Sequence, residues 1–168
     1  MKHLTCLAVL AATPAFAGLQ ADFIEGAPKD RFSFTNVSAC DLGPVTIKLD
    51  LAGSAAGLIF DTSGAGAGVE VFQPYQTVAG ADRLAKASPV SDGDTEITLT
   101  LTGLPPNASV AFTIDVDDTR PQSALGQIRV DDSEIAGAMV ILTSGGMLQS
   151  GVFDTTSRAH IKTAQCVS

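Results

Sequence analysis

An all-β fold, an antiparallel β-sandwich of the jelly-roll or immunoglobulin-like kind with about 8–10 strands, follows from three observations. Short segments alternate apolar and polar residues with a period of two, as a half-buried strand requires. Those segments are rich in Thr, Val and Ile, which suit a pleated surface. Clusters of Gly, Pro, Asp and Asn separate them.

Taken in order, Arg31–Ser38 places Phe32 and Phe34 on one face, with Ser33 and Thr35 on the other. Val45–Leu51 sends Val45, Ile47, Leu49 and Leu51 inward and Thr46, Lys48 and Asp50 outward. Leu58–Phe60 is a short apolar run, and Val69–Val78 resumes after the glycine-rich stretch Gly64–Gly68. Only Ala79–Lys86 has a spacing that admits helix, through Ala81, Leu84 and Ala85. Glu96–Leu101 alternates Ile97, Leu99 and Leu101 with Thr98 and Thr100, and Ser109–Val116 aligns Val110, Phe112, Ile114 and Val116. Ile128–Val130, Ala138–Leu142, Leu148–Phe153 and Ala159–Lys162 complete the expected strands. Breaks fall at Leu42-Gly43-Pro44, Ser91-Asp92-Gly93-Asp94, Leu104-Pro105-Pro106-Asn107 and Ser144-Gly145-Gly146. Phe32, Phe34, Phe60, Phe112 and Phe153 occupy strand positions and are expected in the core.

The N-terminus has the three parts of a secretory signal. Lys2 supplies the positive charge, Leu4–Ala12 the apolar stretch, and Ala15-Phe16-Ala17 the small-residue cleavage pattern. Residues 1–17 are therefore expected to be a signal peptide and 18–168 a single β-sandwich domain, secreted or periplasmic. The apolar stretch is well short of the roughly 20 residues that span a bilayer, so no membrane insertion is expected after processing. Cleavage removes Cys6 and leaves Cys40 and Cys166, an even pair that in an oxidising compartment is expected to form a disulfide. It also removes Lys2, leaving 18 acids against nine bases. That balance argues against nucleic acid, whose binding rests on Lys and Arg neutralising phosphates, and it suits divalent cations.

Phe112-Thr113-Ile114-Asp115-Val116-Asp117-Asp118-Thr119 carries the most chemistry. In a strand Asp115 and Asp117 share the face opposite Ile114 and Val116, and Asp118 follows at the corner. Carboxylates this close repel unless water or a cation separates them, and oxygen ligands suit calcium. Asp61 is the best remote ligand, with Glu70 and Glu25 next. A solvated acidic turn is the bland alternative. The D-x-D-D pattern lacks the glycine and closing glutamate of an EF-hand loop. Bound calcium would rigidify the loops around Asp61 and Asp118.

Other chemistries fare worse. Gly64-Ala65-Gly66-Ala67-Gly68 is followed by strand-like Val69–Phe72 rather than a helix, so it lacks the context of a phosphate loop. His160 is the one histidine of the mature chain, and no serine sits in a G-x-S-x-G elbow. One histidine and two paired cysteines make no zinc site. A carboxylate pair acting on polysaccharide is a second reading, weakened by the absence of Trp and the single Tyr75 as stacking platforms. Asp131-Asp132-Ser133-Glu134 reads as a solvated loop.

Three stretches carry a resemblance: Glu25–Asn36, Gly57–Asp61 with Gly64–Gln73, and Phe112–Thr119. Together they resemble a family of exported bacterial proteins labelled "aggregation factor core", and more loosely the choice-of-anchor β-sandwich domains. The resemblance implies a non-enzymatic adhesion or extracellular-matrix module, calcium-dependent, whose partner is a cell-surface or matrix component. A purely structural exported domain is the remaining alternative.

Overall fold

The computed structural model describes residues 18–69, 71–120 and 125–163. Among them are eleven strands and no helix. These are β1 (Gly18–Ile24), β2 (Asp30–Asn36), β3 (Val45–Asp50), β4 (Ile59–Asp61), β5 (Gln76–Ala79) and β6 (Leu84–Ala87). β7 (Glu96–Leu101), β8 (Ser109–Asp117), β9 (Met139–Ser144), β10 (Met147–Val152) and β11 (Arg158–Lys162) follow. The expected signal segment lies outside the described residues, and among those described no helix is long and apolar enough to cross a membrane.

Two antiparallel sheets form the sandwich. One runs β11-β1-β2-β8, with β4 and β5 both pairing with β8; the other runs β10-β9-β3-β7-β6. The layout follows from the alternation. In β3, Val45, Ile47 and Leu49 are buried while Thr46, Lys48 and Asp50 are less so, and β7 repeats this with Ile97, Leu99 and Leu101. Each strand therefore has one face that must be covered, and the second sheet covers it. The buried faces form one cluster, with Phe32 at its aromatic centre. Its ring stacks on Phe112 at 5.3 Å and meets Phe60 and Phe153 edge-on at 6.4 and 6.5 Å. All five expected core phenylalanines are buried.

Three local expectations are corrected, and one strand was not anticipated. Ala79–Lys86 is not helical: β5 ends at Ala79, the chain turns at Gly80 (φ +67°), and β6 begins at Leu84. A side chain at Gly80 would collide with the β8 backbone at Ser109, so glycine makes the turn possible. Val69–Val78 is strand only from Gln76. Ile128–Val130 forms no strand; Ile128 is exposed, and Arg129 reaches across to Glu25. β1, at the expected cleavage point, completes a hairpin with β2 that was not anticipated, although Leu19, Ala21 and Phe23 alternate with Gln20 and Asp22 as in the other strands.

β8 positions everything that follows. One of its edges pairs with β2 from Ser109 to Ile114. On the other edge, β5 pairs with residues Ala111 to Thr113 and β4 with Asp115 to Asp117. The register sets Asp61 directly across from Asp115, and Ile59 across from Asp117.

Candidate metal centre

The candidate site grows from the period-two geometry of two paired strands. Ile114, Val116 and Phe60 turn into the core, so Asp115, Asp117 and Asp61 turn to the opposite face of the sheet. On most sheets that face would be solvated. Here Thr62–Val69 folds back over it, and the three acids are at most 1% exposed. One oxygen from each lies within 4.8 Å of the others. Oxygens bound to one calcium ion at about 2.3–2.6 Å can lie at most about 5 Å apart, so the spacing suits a shared hard cation.

Hydrogen bonding leaves the cluster incomplete. Asp117 Oδ2 accepts from the Val69 N–H at 2.8 Å. Asp61 Oδ1 accepts weakly from Ser63 N–H at 3.4 Å. Asp115 Oδ1 and Oδ2, Asp61 Oδ2, Asp117 Oδ1 and the Thr113 hydroxyl are buried without a hydrogen-bond partner. Buried polar groups are nearly always satisfied, and buried charges are paired or bind metals. Five unsatisfied oxygens on one small face therefore form a set that could hold a metal ion.

The electrostatics agree. Burial pushes the Asp115 carboxyl up to about 8, with the neighbouring charges of Asp117, Asp30 and Asp61 adding to the shift. Burial also raises Asp61 to about 7, helped by the neighbouring carboxylates of Asp92 and Asp117. Asp117 is raised for the same first reason, burial. Such groups favour either a proton or a cation, and a cation inverts the balance toward the ionised forms.

Asp61, Asp115 and Asp117 of the sequence-derived set are thus brought together. Asp118 lies just past the end of β8, buried with both carboxylate oxygens unpartnered, but it is not in the three-residue cluster. Glu25 does not join it either. Its carboxylate is engaged by Arg129 through bonds of 2.7 and 2.9 Å, which hold its pKa below the usual range. Glu70 lies outside the described residues, as does Cys166, the expected disulfide partner of Cys40.

Two acids that sequence reading did not assign to the site serve it. Asp92 accepts from the backbone N–H groups of Thr62 (3.1 Å), Ser63 (3.3 Å) and Ala67 (2.6 Å). In the sequence it is only one residue of a Ser-Asp-Gly-Asp turn, and nothing local links it to Asp61, 31 residues earlier. Asp30, 1% exposed, accepts from Gly26 N–H and from Val116 N–H, both at 2.9 Å. It ties the β1–β2 turn to β8, and burial lifts its pKa to about 7. Its place at the start of an alternating strand was the available signal.

No protein-family model, curated protein or solved structure matches the chain. The functional reading therefore stands on the site itself.

Proposed function

We propose that this chain is an exported β-sandwich that binds calcium through Asp61, Asp115 and Asp117 and acts, without catalysis, as an adhesion or matrix-interaction module. One observation carries the cation reading: Asp115 is fully buried with both carboxylate oxygens unpartnered, beside two more buried acids. The ligand set is all oxygen, which favours a hard cation over zinc. Calcium tolerates irregular coordination, whereas magnesium demands a near-ideal octahedron and keeps several waters. The acids are enclosed, which suits a structural ion better than a carboxylate pair that must reach a polysaccharide. Adhesion draws further support from the outer face of the five-stranded sheet. There β10 leaves Leu148 70% and Val152 56% exposed, two apolar side chains available to a partner. Export brings with it the Cys40–Cys166 disulfide.

Thermal unfolding of the chain from Gly18, with calcium or with chelator, tests the cation. A ligand bound only by the folded state at a hundredfold excess over its Kd adds about 2.7 kcal/mol. No shift at millimolar calcium, with Asp117→Ala equally silent, overturns the reading. Beads coated with the protein should cluster in calcium and disperse in chelator; failure to cluster with any cell-surface or matrix preparation overturns the adhesive role.

A further inference from the structure

The three acids have no open path to solvent, being at most 1% exposed. Thr62–Val69 lies over them, and its backbone is fastened through acids. Thr62, Ser63 and Ala67 donate to Asp92, and Val69 donates to Asp117. Two glycines make the approach possible. A Cβ at Gly66 would land on the Asp92 carboxylate, and one at Gly68 on that of Asp61. The turn's own tip, Gly64 to Ala67, faces solvent. The backbone around the acids is thus close-fitting on the inside and free on the outside.

We propose that Thr62–Val69 is a cover latched by Asp92, which opens to admit the cation and closes over it, so that ion and cover order one another. This rests on the cation reading above. It adds that the ion cannot enter or leave while the latch holds, because the described backbone encloses its ligands. Release is then set by opening of the cover. Asp92 acts as a positioning residue: it holds the turn in place through three amides, two of which, Thr62 and Ser63, directly follow the ligand Asp61 in the chain. In the chelated protein Asp115 lies under the cover with neither carboxylate oxygen partnered; with the ion bound, Asp117 and Asp61 are fixed and the turn rests on them.

Hydrogen exchange of the chain from Gly18, in calcium chloride and in chelator, reads the cover directly. In chelator the amides of residues 62–69 should exchange well ahead of the β3 core amides, and calcium should slow them by about tenfold or more. Stopped-flow release of calcium into a chelating dye reads the latch. Asp92→Ala should bind calcium yet release it about tenfold faster, since three charge-assisted bonds to the cover are lost. Gly66→Ala should also speed release, by displacing the same carboxylate without removing it. If Asp92→Ala does not fold, Gly66→Ala and the exchange of the parent protein still decide. Calcium that binds by calorimetry while leaving exchange at 62–69 unchanged overturns the cover and spares the cation reading. So does release from both variants at the parent rate. No binding of calcium by calorimetry removes the cation reading and the cover together.

Discussion

Both oxygens of Asp115 are buried and unpartnered, and three neighbouring acids add to the cost of its charge. The native protein therefore holds this group in a state that water would relieve. Asp115→Asn should separate the two roles of the side chain. In chelator it should raise stability, because an amide carries no charge to desolvate; leaving a buried polar group unmatched costs about 1–3 kcal/mol. In calcium the gain from the ion should vanish. Melts with and without calcium test both signs, and loss of stability in chelator contradicts the burial argument. The pH dependence follows from the same residues. Asp115, Asp61 and Asp30 are raised to about 8, 7 and 7 in the folded chain. Between those values and the unfolded value near about 4, the native state binds more protons than the unfolded one. The chelated protein should therefore grow more stable as pH falls from about 8 to about 5. With calcium bound, protons compete with the ion and acidification should weaken it instead. Denaturant midpoints across that range, in chelator and in calcium, should have opposite slopes. The lowered acids Glu25, Asp92, Asp131 and Asp154 act in the opposite sense, but only below the ordinary carboxylate range.

At the scale of elements, the period-two signal is strongest where one face is buried and the other wet. β3 and β7 are of that kind and were legible to within a residue or two, and β8, covered on both faces, was legible from its alternating side-chain chemistry. Asp115 and Asp117 were placed on one face by the same rule. What escaped was short or irregular. β5 and β6 are four residues each, partly exposed, with a register shift in both pairings, so neither imposes an alternation. The burial of the acids also escaped, since it depends on a turn that folds back and on Asp92 arriving from a distant loop. A second element-scale device is Asn36, fully buried at the end of β2. Its amide donates to the carbonyls of Cys40 (2.6 Å) and Leu104 (2.7 Å), and its oxygen accepts from Ser38 N–H (2.9 Å) and hydroxyl (2.6 Å). Asn36→Ala strands several of these groups and should cost about 2–4 kcal/mol in denaturant unfolding. A loss below about 0.5 kcal/mol would show that water replaces the network freely.

For the whole molecule, the fold class was readable because most strands between Arg31 and Lys162 ask for the same kind of cover, whereas pairing order depends on distant turns. The net charge of −8 sets no fold, but it makes cations the natural counter-species. The proposed disulfide belongs to this scale too. Closing a loop from residue 40 to residue 166 is worth about 4–5 kcal/mol in the chain-entropy account. The unreduced protein secreted from cells should resist thiol alkylation at both cysteines and unfold at lower temperature after reduction. Alkylation of both without reductant contradicts the pairing.

β8 writes two messages in one stretch of chain. Its even-numbered residues address the core and Asp115 and Asp117 the covered outer face, so the spelling is read in pairs. Substitutions alter single letters and leave the reading frame intact. Loss or gain of one residue within Ser109–Asp117 would shift the frame, sending acids into the oil and Ile114 and Val116 under the turn. Across divergent sequences, this strand should accept many replacements and keep its length.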